Sequence, residues 1–215
     1  MKLSKQASPS NSASSQTSTI PQPDQHSALL LIDLQNDFFP GGALSIPEAE
    51  FIIPTVNRYI RHFSRNGWPI LATRDWHPPN HCSFREQQGP QPNHCVQGSH
   101  GAQFHSDLVL PPGMMVISKG TQPKQESSSC FEGSSLKDRL EDLGTNTLFI
   151  LGLGAPECLK RTVSEACRLK FKTVILTDAV KTGLQSSAHT AEYFQDLVQM
   201  GGVLSLAEDL SIPTT

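Results

Sequence analysis

The chain has no apolar run long enough to cross a bilayer. Its longest, Ala28 to Ile32, falls far short of the roughly 20 residues a membrane helix needs, and mean hydropathy is −0.29. No membrane partner is expected. A basic excess is also missing: lysine plus arginine number 17 against 20 aspartate plus glutamate, a formal charge of −3. With so little positive charge to hold a phosphate backbone, nucleic acid is not an expected partner. Cysteine is scarce and odd in number, with Cys82, Cys95, Cys130, Cys158 and Cys167 forming no CxxC pair and no dense framework. That usage points to free thiols in a reducing, cytoplasmic compartment. No apolar core or small-residue cleavage site follows Lys2 and Lys5, so no secretory leader is expected. The Ser-rich, acid-poor start leaves an organelle transit peptide open, although it contains no arginine.

Large aliphatics are nearly absent from residues 1–27, which hold eight serines and three prolines beside Leu3 and Ile20. Such a segment cannot offset the entropy of ordering its backbone and reads as a disordered arm. Residues 28–215 leave about 190 residues, the size of one domain. There is no internal repeat.

In that domain, short runs rich in branched aliphatics alternate with amphipathic stretches. The runs Ala28–Leu34, Pro69–Thr73, Met114–Ser118, Leu148–Leu151 and Val174–Leu176 read as strands covered on both faces, with Val203–Leu206 as a sixth. Glu48–Arg65 carries Phe51, Ile52, Val56, Tyr59, Ile60 and Phe63 at helical spacing, and Ser134–Leu143, Glu157–Leu169 and Ala188–Met200 are further helices. Strands alternating with helices predict a doubly wound three-layer α/β/α domain on a mainly parallel six-stranded sheet. The stretch from His77 to Pro112, rich in Pro, Gly, His and Asn, is too long for a plain connection.

Ligands of open α/β sheets bind beyond the carboxyl ends of the strands. Asp33 ends the first run, Asp75 and His77 follow the second, Lys119 ends the third, and the fourth passes through Gly152–Gly154 to Cys158. Taken singly, Asp33 could be a strand cap and Lys119 a lysine with its head in solvent. Pro156, two residues before Cys158, marks a helix start, where the helix dipole favours thiolate and free N–H groups can hold an oxyanion. Cys130 and Cys167 read as small core residues. Asp75 and His77, at i and i+2 of an extended segment, can share a cation with a third ligand from His81 or His94. Such a mixed set suits one divalent ion, zinc first, with iron or manganese as alternatives.

These segments together resemble the nicotinamidase branch of the isochorismatase-like cysteine hydrolases. The match runs in order from about Ala28 to Val203: Asp33-Leu34-Gln35-Asn36-Asp37-Phe38-Phe39-Pro40-Gly41-Gly42, Thr73-Arg74-Asp75-Trp76-His77-Pro78, His94-Cys95-Val96, Ser118-Lys119-Gly120, then Gly152 to Cys158. The resemblance implies a catalytic triad of Asp33, Lys119 and Cys158, and a metal held by Asp75, His77 and His94, with His81 nearby as an extra or water-mediated ligand. It implies a ring contact from Phe38, and oxyanion donors at Gly154 and Cys158 beside a cis Leu153–Gly154 bond. It also allows a homo-oligomer.

Three positions depart from the family pattern. Gln91 replaces a tryptophan of the ring pocket, Ser128 replaces an aromatic, and Ala155 forfeits a threonine helix cap that typically contributes about 1 kcal/mol. The implied activity is hydrolysis of nicotinamide to nicotinic acid and ammonia in NAD salvage, with pyrazinamide as a look-alike substrate. The change at Gln91 keeps open another small amide or an N-carbamoyl compound. A non-catalytic binding protein on the same fold, or a structural zinc site using Cys82 or Cys95, are the readings from other classes.

Overall fold

The computed structural model describes residues 20–184 and 186–213. The part of the expected arm before residue 20 lies outside them. Residues 20–27 lie against the domain: Ile20 packs on the core, the Gln22 amide donates to the Asp209 carbonyl, and Ser27 already belongs to the first strand.

Six strands form one parallel sheet: β1 (Ser27–Ile32), β2 (Ile70–Asp75), β3 (Met115–Lys119), β4 (Thr147–Gly154), β5 (Lys172–Thr182) and β6 (Val203–Ser205). Their order across the sheet is β3-β2-β1-β4-β5-β6. Among the described residues four α-helices connect them, α1 (Ile53–Arg65), α2 (Leu136–Asp142), α3 (Pro156–Arg168) and α4 (Ser187–Gln199). The central strands are apolar throughout because both faces are covered. Leu29 and Leu31 of β1 point into one core with Phe149 and Leu151 of β4 and with Val56, Tyr59, Ile60 and Phe63 of α1. Ala28, Leu30 and Ile32 point into the other, against Leu136 and Leu140 of α2, Leu159 and Val163 of α3, and Tyr193 and Leu197 of α4. The predicted three-layer α/β/α architecture is the one found.

Local departures have local causes. The segment Glu48–Arg65 does not begin as an α-helix: Ala49–Ile52 is a 3-10 turn and α1 starts at Ile53, with Pro54 in its first turn. The change of pitch rotates Phe51 away from the α1 face, leaving it 70% exposed instead of in the core. β3 is an edge strand, and Val116 on it faces solvent. β5 runs far beyond Val174–Leu176, and its register against β4 shifts between Ile150 and Gly152. Asp178, in the displaced stretch, accepts from the Tyr59 hydroxyl at 2.8 Å and from the Ala207 N–H at 3.1 Å.

The chain winds from β1 outward through β2 to β3, then returns to place β4 on the other side of β1. The crevice beyond the carboxyl ends of β1 and β4 is thus the topological switch point of the sheet. The segment from His77 to Pro112 holds one short 3-10 turn, Arg85–Gln87, and folds back toward this crevice. Bridges between His77 and Val96 and between Gln35 and Phe104 hold it there.

Candidate active site

A cavity of about 200 Å³ opens at the switch point and is lined by Asp33, Phe38, Asp75, His77, Gln91, His94, Lys119, Gly154 and Cys158 among others. The strand ends deliver most of them, as expected from the sequence. Asp33 leaves β1 with φ 48, in the left-handed region, and its carbonyl accepts from the Gln35 N–H at 2.8 Å. Aspartate is among the few non-glycine residues that tolerate this conformation, and strain of this kind concentrates at functional sites.

The Lys119 ammonium lies between two carboxylates, 2.8 Å from Asp33 and closer still to Asp75, and all three groups are buried. Burial by itself would discharge a lysine. Here the Asp33 and Asp75 carboxylates outweigh that effect and hold Lys119 well above its ordinary range. Asp33 is shifted upward, chiefly by burial and against the pull of Lys119, with Asp75 adding repulsion. A donated bond from the Thr73 hydroxyl at 2.7 Å supports its charged form.

Cys158 lies in the first turn of α3, behind Pro156 at the helix start. Ala155 provides no side-chain cap, as its sequence implies. The Cys158 thiol is shifted downward, first by the Cys130 thiol and then by the charge of Lys119, against the opposing effect of burial. Cys130 is therefore not the inert core residue that its apolar setting suggested.

Asp75, His77 and His94 each bring a ligand atom within 4.8 Å of the others, and all three are buried. Their surroundings fit a cation. Nδ1 of His77 donates to the Gly120 carbonyl at 2.9 Å and Nδ1 of His94 to the Pro92 carbonyl at 2.9 Å, so each Nε2 is left with a free lone pair. Burial pushes His77 down to about 4, which keeps the imidazole neutral, as a ligand must be. Gly120 is required at its position: a Cβ there would fall 2.4 Å from the His77 ring, and its φ is +61.

Two expectations for this region need correction. His81 is not part of the ligand group. Its Nε2 donates to the Gln125 carbonyl at 3.1 Å, its Nδ1 is engaged by Ser83, and it clusters instead with Cys82 and Glu126. The described residues also contain no cis peptide, so the Leu153–Gly154 bond is trans. The Cys158 N–H donates to the Ala155 carbonyl at 3.0 Å and is already engaged by the helix turn. A structural zinc site through Cys95 has no support in this geometry, since Cys95 is absent from the ligand group and burial drives its thiol strongly upward.

Two positioning residues had no role assigned from the sequence. Gln35 is fully buried: its Nε2 donates to the carbonyls of Asp75, at 2.7 Å, and Ala102, at 2.9 Å, while its Oε1 accepts from the Asp75 N–H at 2.7 Å. Asp37 accepts from the N–H groups of Cys95, at 2.7 Å, and Ala43, at 3.1 Å, pinning the residue after His94. The available signal was two polar residues immediately after a buried strand, where a solvated loop was the simpler reading.

Comparison with known proteins agrees with this geometry. An Isochorismatase domain matches residues 27–209. The nicotinamidase of Escherichia coli is 37% identical over 206 residues, covering 85% of this chain and 95% of that protein. Among solved structures, the pyrazinamidase of Pyrococcus horikoshii in complex with zinc superposes with a TM-score of 0.79 at 41% identity, covering 84% of this chain and 99% of that one. The PnC1 protein of L. infantum in complex with nicotinate gives 0.78 at 30% identity, covering 88% and 97%. With Asp33, Lys119 and Cys158 gathered beside a carboxylate and two imidazoles on a matching fold, the chain belongs to the isochorismatase family, in its nicotinamidase branch.

Proposed function

We propose that the protein is a metal-dependent nicotinamidase, converting nicotinamide to nicotinic acid and ammonia as a step of NAD salvage, with pyrazinamide as a second substrate. The observation that carries this reading is one cavity shared by a thiol of lowered pKa, a buried Asp33–Lys119 pair and a three-ligand cation group. The names of the Escherichia coli nicotinamidase and the Pyrococcus horikoshii pyrazinamidase, to which the chain is similar, support it.

The chemistry follows from the residues. Asp33, whose raised pKa suits proton exchange, takes the Cys158 proton, and Sγ attacks the carboxamide carbon. Lys119 keeps the Asp33 carboxylate oriented and balances its charge. Ammonia leaves with the proton returned from Asp33, a thioester to Cys158 remains, and water activated by Asp33 releases the acid. The first turn of α3 faces the cavity with its helix N-terminus, whose dipole favours negative charge on the substrate oxygen.

Asp75, His77 and His94 would hold one divalent cation, zinc by the character of the donor set and by the zinc-bound relative. Such an ion would supply a Lewis-acid anchor for a heteroaromatic ring nitrogen, and Asp75, His77 and His94 would place that anchor in the cavity that holds Cys158. Phe38, buried and edge-on to His94, provides an apolar wall for the ring. Gln91 lies on the cavity wall and offers an amide in place of an indole face.

We further infer that the chain from Ile20 onward forms a single hydrolase domain, beginning before the expected residue 28, and that it works in the cytoplasm, a reading supported by five free cysteines. Among the described residues, no helix is long and apolar enough to cross a membrane.

The test is ammonia release from nicotinamide by purified protein, before and after chelation and after zinc is restored, with an N-carbamoyl amide in parallel. Turnover of nicotinamide that falls on chelation and returns with zinc is the expected result. Turnover of the N-carbamoyl compound alone would move the substrate class and make Gln91 the first position to examine.

A further inference from the structure

Cys130 belongs to the segment between β3 and α2, yet it is bound to the Cys158 region from two sides. Its N–H donates to the Thr162 hydroxyl at 3.0 Å, and that hydroxyl donates to the Cys158 carbonyl at 2.8 Å, one turn earlier on α3. On the other side, the Cys130 thiol donates to the Thr73 hydroxyl at 3.7 Å, and that hydroxyl donates to Asp33. Thr162 thus ties the two cysteines to one hydroxyl, and each thiol is the largest single influence on the other, raising Cys130 and lowering Cys158. The two sulfurs differ in access: Cys130 is fully buried, whereas Cys158 lines the open cavity. The hydrolysis proposed above uses only one of them.

We propose that Cys130 and Cys158 form an oxidation site, in which a small hydroperoxide entering the cavity oxidises Cys158 and Cys130 then closes an intramolecular disulfide with it. In the first step the Cys158 thiolate attacks the peroxide. The O–O bond breaks, an S–O bond forms, the sulfur loses two electrons as sulfenic acid, and the peroxide leaves as hydroxide or alkoxide and is protonated by water. In the second step the Cys130 sulfur attacks that of Cys158. An S–S bond forms, the S–O bond breaks, and the hydroxyl departs as water carrying the Cys130 proton. A dithiol reductant reverses the result.

The arrangement sets the order of events. Burial shields Cys130 from solvent peroxide, and its thiol is held protonated by the neighbouring Cys158 and by burial, so the first oxidation falls on Cys158. Once Cys158 is a neutral sulfenic acid, the repulsion that opposed ionisation of Cys130 is gone. A second thiol held beside it then competes with over-oxidation to sulfinic acid, a step that ordinary thiols cannot reverse. The proposal rests on Cys158 being the reactive thiol of the site, but not on any particular amide substrate.

The experiment exposes the wild-type chain, Cys130→Ala and Cys130→Ser to graded hydrogen peroxide. Thiols are counted after unfolding, digests are analysed by mass without reductant, and activity is read before and after dithiothreitol. For wild type, titratable thiols should fall from five to three, with a Cys130–Cys158 linked peptide and activity restored by dithiothreitol. In both variants one thiol should be lost, Cys158 should progress to sulfinic acid, and dithiothreitol should restore little. Sulfinic acid on wild-type Cys158 with Cys130 still alkylatable would overturn the proposal. The linked peptide is read from wild type alone, so poor folding of a variant leaves the test intact. It also needs no turnover, so a linked peptide in a protein inactive on nicotinamide would separate this proposal from the substrate assignment.

Discussion

Gln35 offers a quantitative test of how the metal-ligand strand is held. Gln35→Ala removes three hydrogen bonds and strands the Asp75 N–H and the carbonyls of Asp75 and Ala102 in a buried environment. At about 1 kcal/mol net per neutral hydrogen bond, the loss is about 3 kcal/mol. For a domain of this size each kcal/mol is worth about 2–4 °C, so Tm should fall by about 6–12 °C in a thermal unfolding scan. Gln35→Met keeps most of the volume without the polar atoms, and it should lose nearly as much, because the cost lies in the unmade bonds and not in a cavity. Since the same bonds clamp the backbone of Asp75, zinc affinity measured by competition with a chromophoric chelator should weaken by about 10–100-fold, the range seen for outer-shell partners. A Tm within about 2 °C of wild type together with unchanged zinc affinity would refute the assignment of Gln35 as a clamp.

Other consequences follow from the same geometry. Asp33 has a folded-state pKa above its ordinary value, so its ionisation opposes folding as pH rises through and above the carboxylate range. Asp33→Asn should abolish turnover, while its Tm relative to wild type improves as pH rises above the ordinary carboxylate value of about 4; a pH-independent difference would contradict this. Ala155→Thr should restore a helix cap and raise stability by about 1 kcal/mol in urea unfolding, and an unchanged midpoint would show that Pro156 already compensates. His94→Ala should lower bound zinc in elemental analysis, whereas His81→Ala should leave the stoichiometry unchanged; the reverse pattern would exchange the two residues.

Much of this architecture was legible because the central strands are buried on both faces and so write unbroken aliphatic runs into the sequence. A charged residue that abruptly ends such a run is conspicuous, which is how Asp33 and Lys119 could be selected. Phe51 was misplaced because helical spacing does not reveal that the first turn is 3-10 and that the α-helix waits for Ile53. The trans Leu153–Gly154 bond and the engaged His81 nitrogens depend on backbone and loop geometry that a motif does not encode. Gln35 and Cys130 take their meaning from partners remote in the chain, Asp75 and Cys158, and no local pattern marks either one.

The claim on which the account depends most is that Cys158 carries the acyl group. Wild-type protein loaded with zinc should be mixed with nicotinamide, quenched in acid during steady turnover, digested and analysed by mass. A nicotinoyl thioester on the Cys158 peptide, released by hydroxylamine, together with no turnover by Cys158→Ala, is the result expected. Turnover by Cys158→Ala at a rate near that of wild type, or an acyl group on another residue, would contradict it.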